Sequence, residues 1–226
     1  MAKKDAKWTE KVLDGLNKAH PDAKPELDFT NPFELLIATI LSAQCTDKQV
    51  NKCTPALFRD HPTPESMAAM SEEELGKYIR SCGFFNSKAK HILSACRDIV
   101  ERFSGEVPNT REGLESLAGV GRKTANVVLS NAFDIPAIAV DTHVFRVSNR
   151  IGLANASTVE KTEVQLMERI PQDKWSIAHH WLIFHGRRVS HVRDARRRDQ
   201  RPVFVPAVPE RRGGLPDGAR KRAEAA

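Results

Sequence analysis

The sequence predicts an all-α protein made of compactly packed helices. Three observations carry this expectation. Helix-start and helix-stop signals recur along most of residues 1–188, with apolar residues between them returning at helical spacing. The apolar runs 135–140 and 203–208 are short and interrupted by proline, which argues against strands. No internal repeat of solenoid period is present.

In order along the chain, an amphipathic N-terminal helix carries Trp8, Val12, Leu13 and Leu16. Asn31 reads as an N-cap, with Pro32 at the first helical position and Glu34 placed to reach back to the cap. The run 35–44 that follows is apolar on nearly every side, so this helix is expected at the centre of the molecule. Ser71 and Glu74 form a capping box leading to Leu75, Tyr78 and Ile79, with Gly83 as the expected stop. A helix opens at Asn86, carries Ala89, Ile92, Leu93, Cys96, Ile99 and Val100, and stops near Gly105. A short helix at 111–117 precedes a glycine turn, and a longer one runs from Lys123 to Phe133. Further helices are expected near 142–151, 159–170 and 174–187.

The chain has 226 residues, enough for one large domain or two small ones, and its 40% apolar content can fill a core. Four cysteines (Cys45, Cys53, Cys82 and Cys96) lack Cys-x-x-Cys spacing, which predicts buried thiols in a reducing compartment. The N-terminus lacks the apolar run of a signal peptide, and no stretch approaches the length of a membrane span. A soluble, cytoplasmic protein is expected. The net charge of +6 divides unevenly: residues 185–226 carry +7 and residues 1–184 carry −1. The basic character therefore belongs to the tail, and overall pI says little about nucleic-acid binding by the folded body. After about Gly186 the chain is dense in arginine and carries Pro202, Pro206, Pro209 and Pro216, a composition that predicts disorder.

The segment Leu117-Ala-Gly-Val-Gly-Arg-Lys-Thr-Ala125 places Gly119 and Gly121 in a turn between two helices. Glycines there let backbone amides converge with a helix N-terminus, forming an anion site that fits a DNA phosphate. The other reading is that Gly-Val-Gly merely makes a tight corner between packed helices. A P-loop is excluded because Arg122 separates Gly121 from Lys123, and a dinucleotide fingerprint because Thr124 replaces its third glycine. Lys123 opens the next helix, where the helix dipole and neighbouring Arg122 favour a neutral, nucleophilic amine, while a nearby Asp141 carboxylate would favour the ammonium. A phosphate-contacting lysine is the other reading. Asp141 precedes the helix beginning at Thr142, either as N-cap or as a functional carboxylate that also caps.

These segments, with Val140-Asp-Thr-His-Val-Phe-Arg146, Asn31-Pro-Phe-Glu-Leu-Leu-Ile-Ala38, Leu41-Ser-Ala-Gln44, Asn86-Ser-Lys-Ala89 and His180-Trp-Leu-Ile183, resemble the endonuclease III family of helix-hairpin-helix DNA glycosylases. The resemblance spans roughly residues 8 to 188. It implies two helical lobes around a DNA-binding cleft. A six-helix barrel at 25–136 would hold the hairpin at about 111–133, and residues 1–24 with 137–188 would form the second lobe. It implies a monomer acting on double-stranded DNA in base-excision repair, with both glycosylase and abasic-site lyase activity toward oxidised pyrimidines. By the same resemblance Lys123 attacks the sugar and Asp141 stabilises charge and assists proton transfer. Gly119, Val120, Gly121, Arg122, Thr124, Lys88 and His143 would contact DNA. Gln44 and Phe84 would fill the gap left by an everted nucleotide; leucine is the commoner family residue at the position of Phe84. A monofunctional glycosylase or a non-catalytic DNA-binding protein are the alternatives.

The family also implies a [4Fe–4S] cluster held by four cysteines after a His-Gly-Arg segment. That segment is present as His185-Gly-Arg187, but Ser190, Arg197, Gln200 and Pro206 stand at the ligand positions. Cluster assembly needs thiolates, and no cysteine follows Cys96. No cofactor is therefore expected. Two explanations fit: a naturally cluster-free relative, or a C-terminus translated out of frame from about Val189.

Overall fold

The computed structural model describes residues 3–189 and is helical throughout, with no strand among the described residues. The helices are α1 (Lys3–Ala19), α2 (Pro32–Leu41), α3 (Asp47–Asp60), α4 (Pro64–Ala68), α5 (Glu72–Ile79), α6 (Phe85–Phe103), α7 (Arg111–Glu115), α8 (Arg122–Ala132), α9 (Thr142–Ile151), α10 (Val159–Arg169) and α11 (Trp175–Arg188). None is long and apolar enough to cross a membrane.

Two hydrophobic cores organise these helices. One gathers side chains from Phe33 to Ala137 and is built on α2–α8. The other joins Val12, Leu13 and Leu16 of α1 to Ile138, Val140 and the apolar faces of α9, α10 and α11. The chain passes from one core to the other between Ala137 and Ile138. The helical segments of the first core include two short ones, α4 and α7, of five residues each.

The central helix is α2: Phe33 and every residue from Leu35 to Leu41 are buried, and it packs against α3, α6 and α8. Asn31 caps it by accepting from Glu34 N at 2.9 Å. The Glu34 carboxylate reaches one residue further back than expected, to Thr30 N and Oγ1. The helix ends at Leu41, not Gln44, and Gln44 itself takes a left-handed conformation at φ 52°.

Residues 47–70 carry two helices, α3 and α4, beyond those expected from the sequence. Thr46 caps α3 through Gln49 N, and Thr63 caps α4 in a box with Ser66. Pro55 inside α3 masked the pattern, since proline interrupts helical hydrogen bonding. Gly83 is not the stop of α5, which ends at Ile79 with Arg80 as C-cap. The left-handed residue before α6 is instead Phe84, at φ 58°. The 189–226 tail, including Ser190, Arg197, Gln200 and Pro206, lies outside the described residues apart from Val189.

Candidate active site and nucleic-acid interface

The hairpin turn is shaped by Gly119. Its φ of 78° suits glycine, and a Cβ there would stand 2.9 Å from the Cβ of His91 on α6. Val120 N donates to Leu117 O at 3.2 Å, closing the turn, and both side chains are buried. Val120 is thus an anchor in the barrel core; only its backbone is left for any ligand. Gly121 is the N-cap of α8 with no side-chain cap, and nothing lies within 4 Å of where its Cβ would be. The first-turn amides of α8 have no intrahelical partners by construction, so this end of the helix is open to an anion. Thr124, half-buried, sits in that first turn.

Lys123 and Asp141, eighteen positions apart on separate lobes, open onto one cleft. The cleft holds about 560 Å³ of empty space counted out to its open mouth. The barrel contributes Thr39, Ser42, Lys123 and Asn131, and the second lobe contributes Asp141, His179, His180 and Arg187. Lys123 is exposed and Asp141 half-buried. One carboxylate oxygen of Asp141 accepts from Val144 N at 2.7 Å, so the residue caps α9 and is held in a fixed direction while it faces the cleft.

Three cleft residues were not singled out by the sequence. Asp47, at the start of α3, lines the cleft; burial and the nearby Asp141 raise its carboxyl pKa, and Lys123 opposes them. Arg187 ties it down from α11, Nη2 to Oδ2 at 3.1 Å, while also bonding Glu26. Burial lowers the pKa of Arg187. His179 is fully enclosed, and burial first, then His180 and Lys123, holds its pKa well below the usual imidazole value. It therefore stays neutral and adds no cation beside Lys123. Burial also lowers His180 to about 4; its Nε2 lies 2.9 Å from Asn131 Oδ1 across the cleft. No local signal marked Asp47, because α3 itself was unassigned.

Several residues expected at the DNA surface have partners within the protein. Arg122 does not project freely from the hairpin: its Nε and Nη2 bond both oxygens of Glu163 on α10, at 2.8 and 3.0 Å. Arg111 Nη1 adds a third contact at 3.4 Å to this buried carboxylate. The Glu163 carboxylate partly offsets the like charge that Arg122 places beside Lys123. Lys88 is only 5% exposed and donates to Leu41 O at 2.8 Å, so it supports the end of α2. His143 is half-buried against Gly186, and a Cβ on that glycine would come within 2.9 Å of it. Its Nδ1 lies 3.4 Å from Arg146 Nη2.

Gln44 and Phe84 share a different setting. Both are exposed and left-handed, and Phe84 is 68% exposed. Their loops touch, since a Cβ on Gly83 would lie 3.6 Å from Gln44 O. A bulky non-glycine residue at positive φ is a strained conformation retained where surrounding structure imposes it.

An all-α, two-lobed body with an uncapped hairpin facing a cleft that holds a lysine and a carboxylate defines the class of helix-hairpin-helix DNA glycosylases. Residues 37–172 match the HhH-GPD superfamily base excision DNA repair protein family, and the chain belongs to it. Over 176 residues it is 52% identical to endonuclease III of Haemophilus influenzae, covering 78% of this chain and 83% of that protein. It is 49% identical over 176 residues to endonuclease III of Escherichia coli K12, with the same coverage. Among solved structures, a trapped endonuclease III–DNA covalent intermediate (an estranged-adenine complex) superposes with a TM-score of 0.79 at 49% identity. That match covers 85% of this chain and 90% of the other.

Proposed function

We propose that this protein is a bifunctional DNA glycosylase and abasic-site lyase that removes oxidised pyrimidines from duplex DNA in base-excision repair. The observation that carries the reading is the placement of Lys123 and Asp141 on one open cleft beside the uncapped start of α8. The covalent complex formed with DNA by the relative at 49% identity supports it.

The chemistry proceeds in two stages. The Lys123 amine attacks C1′ of an everted nucleotide and displaces the base, leaving an imine to the opened sugar. That imine acidifies the 2′ proton; its removal breaks the bond to the 3′ phosphate by β-elimination. Asp141, already oriented by its bond to Val144 N, stabilises positive charge developing on the sugar and assists proton transfer. The amides at the start of α8 hold a backbone phosphate, and Phe84 and Gln44 enter the stack where the nucleotide leaves it.

The [4Fe–4S] cluster implied by the family does not fit this chain. Its four cysteines all lie at or before Cys96, within the barrel, and three of them are buried. Among the described residues no cluster of His, Cys, Asp or Glu is arranged to hold a metal ion.

Incubating the protein with an abasic-site duplex and borohydride tests the reading. A covalent protein–DNA adduct is expected, and Lys123→Gln should abolish it. Base release without an adduct would indicate a monofunctional glycosylase, and binding alone a protein without activity.

A further inference from the structure

Three of the four cysteines lie beneath the Gln44 and Phe84 loops, and nothing in the repair chemistry uses them. Cys45 directly follows Gln44, Cys82 precedes Gly83 and Phe84, and Cys53 sits on α3, the helix that leaves the Gln44 turn. Cys53 Sγ and Cys82 Sγ are 3.5 Å apart, both side chains buried in the barrel core. Cys45 is half-buried, packs against the same core and lies near enough to raise both the Cys53 and the Cys82 thiol. Lys88 brings a buried ammonium close enough to favour the Cys53 thiolate, although burial dominates and raises that thiol. Cys96 stands apart on α6, fully buried, with its thiol pushed up to about 12.

We infer that Cys45, Cys53 and Cys82 form a peroxide-oxidisable thiol site, in which Cys45 is the point of entry and a Cys53–Cys82 disulfide is the product. The inference stands independently of the reaction at Lys123. Cys45 is the member of the triad that solvent reaches. A hydroperoxide transfers one oxygen to it, giving the Cys45 sulfenic acid and the corresponding alcohol or water. The Cys82 thiol attacks that sulfur, forming a Cys45–Cys82 disulfide and releasing water. Cys53 then attacks Cys82, restoring the Cys45 thiol and leaving Cys53 and Cys82 joined. In sum, two thiols are oxidised to one disulfide, and one hydroperoxide is reduced to an alcohol or water plus one further water. Burial and its two thiol neighbours push Cys82 up to about 12, so it is inert to an outside oxidant. Packing of all three cysteines against one core supplies the effective concentration that a poor thiolate otherwise lacks. Closing Cys53 and Cys82 from 3.5 Å to a bond of about 2.05 Å draws residue 82 toward α3. Gly83 and Phe84 follow, so oxidation resets the one large aromatic side chain the barrel exposes on that face.

The test uses the full chain treated with one equivalent of hydrogen peroxide, then denatured, alkylated and mapped without reduction. The expected result is a fall from four alkylatable thiols to two, with the Cys53 and Cys82 peptides linked and Cys45 and Cys96 still free. Dithiothreitol should restore all four. Cys45→Ser should slow the loss by about tenfold or more, because the remaining pair lacks an entry point. Cys82→Ser should leave a sulfenic acid at Cys45 that dimedone captures. Thermal melts show whether each variant is folded; if Cys82→Ser is not, the rate for Cys45→Ser decides. Overoxidation of Cys45 with no cross-link, links only between separate chains, or an unchanged rate in Cys45→Ser would each overturn the inference.

Discussion

Asp141 shows how one side chain carries two burdens that substitution can separate. Asparagine is also a good N-cap, so Asp141→Asn should alter stability by less than about 0.5 kcal/mol while removing the carboxylate charge from the cleft. Lyase turnover should then fall by about 100-fold or more, in line with the loss of a positioned electrostatic group. Asp141→Ala should lose both, with stability lower by about 1 kcal/mol. Denaturant melts and single-turnover cleavage of an abasic duplex distinguish the two variants. Phe84 has the opposite character: it is exposed and strained, so little packing depends on it. Phe84→Ala should leave the melting temperature within about 2 °C, since surface changes usually fall within ±0.5 kcal/mol. Binding to lesion-containing duplex should nevertheless weaken. An unchanged affinity would remove Phe84 from the interface.

At the scale of elements, the Arg122–Glu163 pair is an ionic contact that joins the hairpin to the second lobe. Glu163 is buried, so removing a partner leaves a carboxylate short of compensation. Breaking a buried pair costs about 3–5 kcal/mol, but Arg122 is half exposed and Arg111 remains, so Arg122→Ala should cost about 2 kcal/mol. A smaller loss for Arg122→Ala than for Arg122→Ala with Arg111→Ala would confirm that the two arginines share one carboxylate. Gly119→Ala should be damaging for a different reason: it puts a Cβ at positive φ and against His91, costing more than about 1 kcal/mol. Both variants are read by chemical denaturation.

Across the whole molecule, the second lobe is built around histidines kept neutral. Burial lowers the pKa values of His20, His179, His180 and His185, with His180 and His185 each near 4. His20 Nε2 and His185 Nδ1 face each other at 3.2 Å, which further disfavours charging both. In the unfolded chain these groups titrate near about 6.5. Between that value and 4 the unfolded state binds more protons than the folded one, so stability falls as pH falls. Melting temperature should be nearly flat above pH 7 and drop steeply from pH 6.5 toward 4, with His185→Gln reducing the slope. A flat profile down to pH 5 would show that the histidines charge without unfolding the lobe.

What the sequence determined by itself was local. Caps at Asn31, Ser71 and Asp141 set helix starts because each acts on an amide three residues away. The paired glycines marked the hairpin, and the absence of cysteine after Cys96 removed the cluster ligands without reference to any coordinate. The helices α3 and α4 escaped notice because Pro55 broke the pattern in the first and the second is only five residues long. Tertiary structure alone decided the partners of charge. Arg122 and Glu163 are 41 positions apart, and Lys88 and Leu41 are 47, distances over which no spacing rule operates. Asp47, His179 and Arg187 entered the cleft for the same reason. A helix end is fixed by groups that share a turn, whereas a buried ion pair or a cleft wall is fixed by which surfaces the two cores bring together.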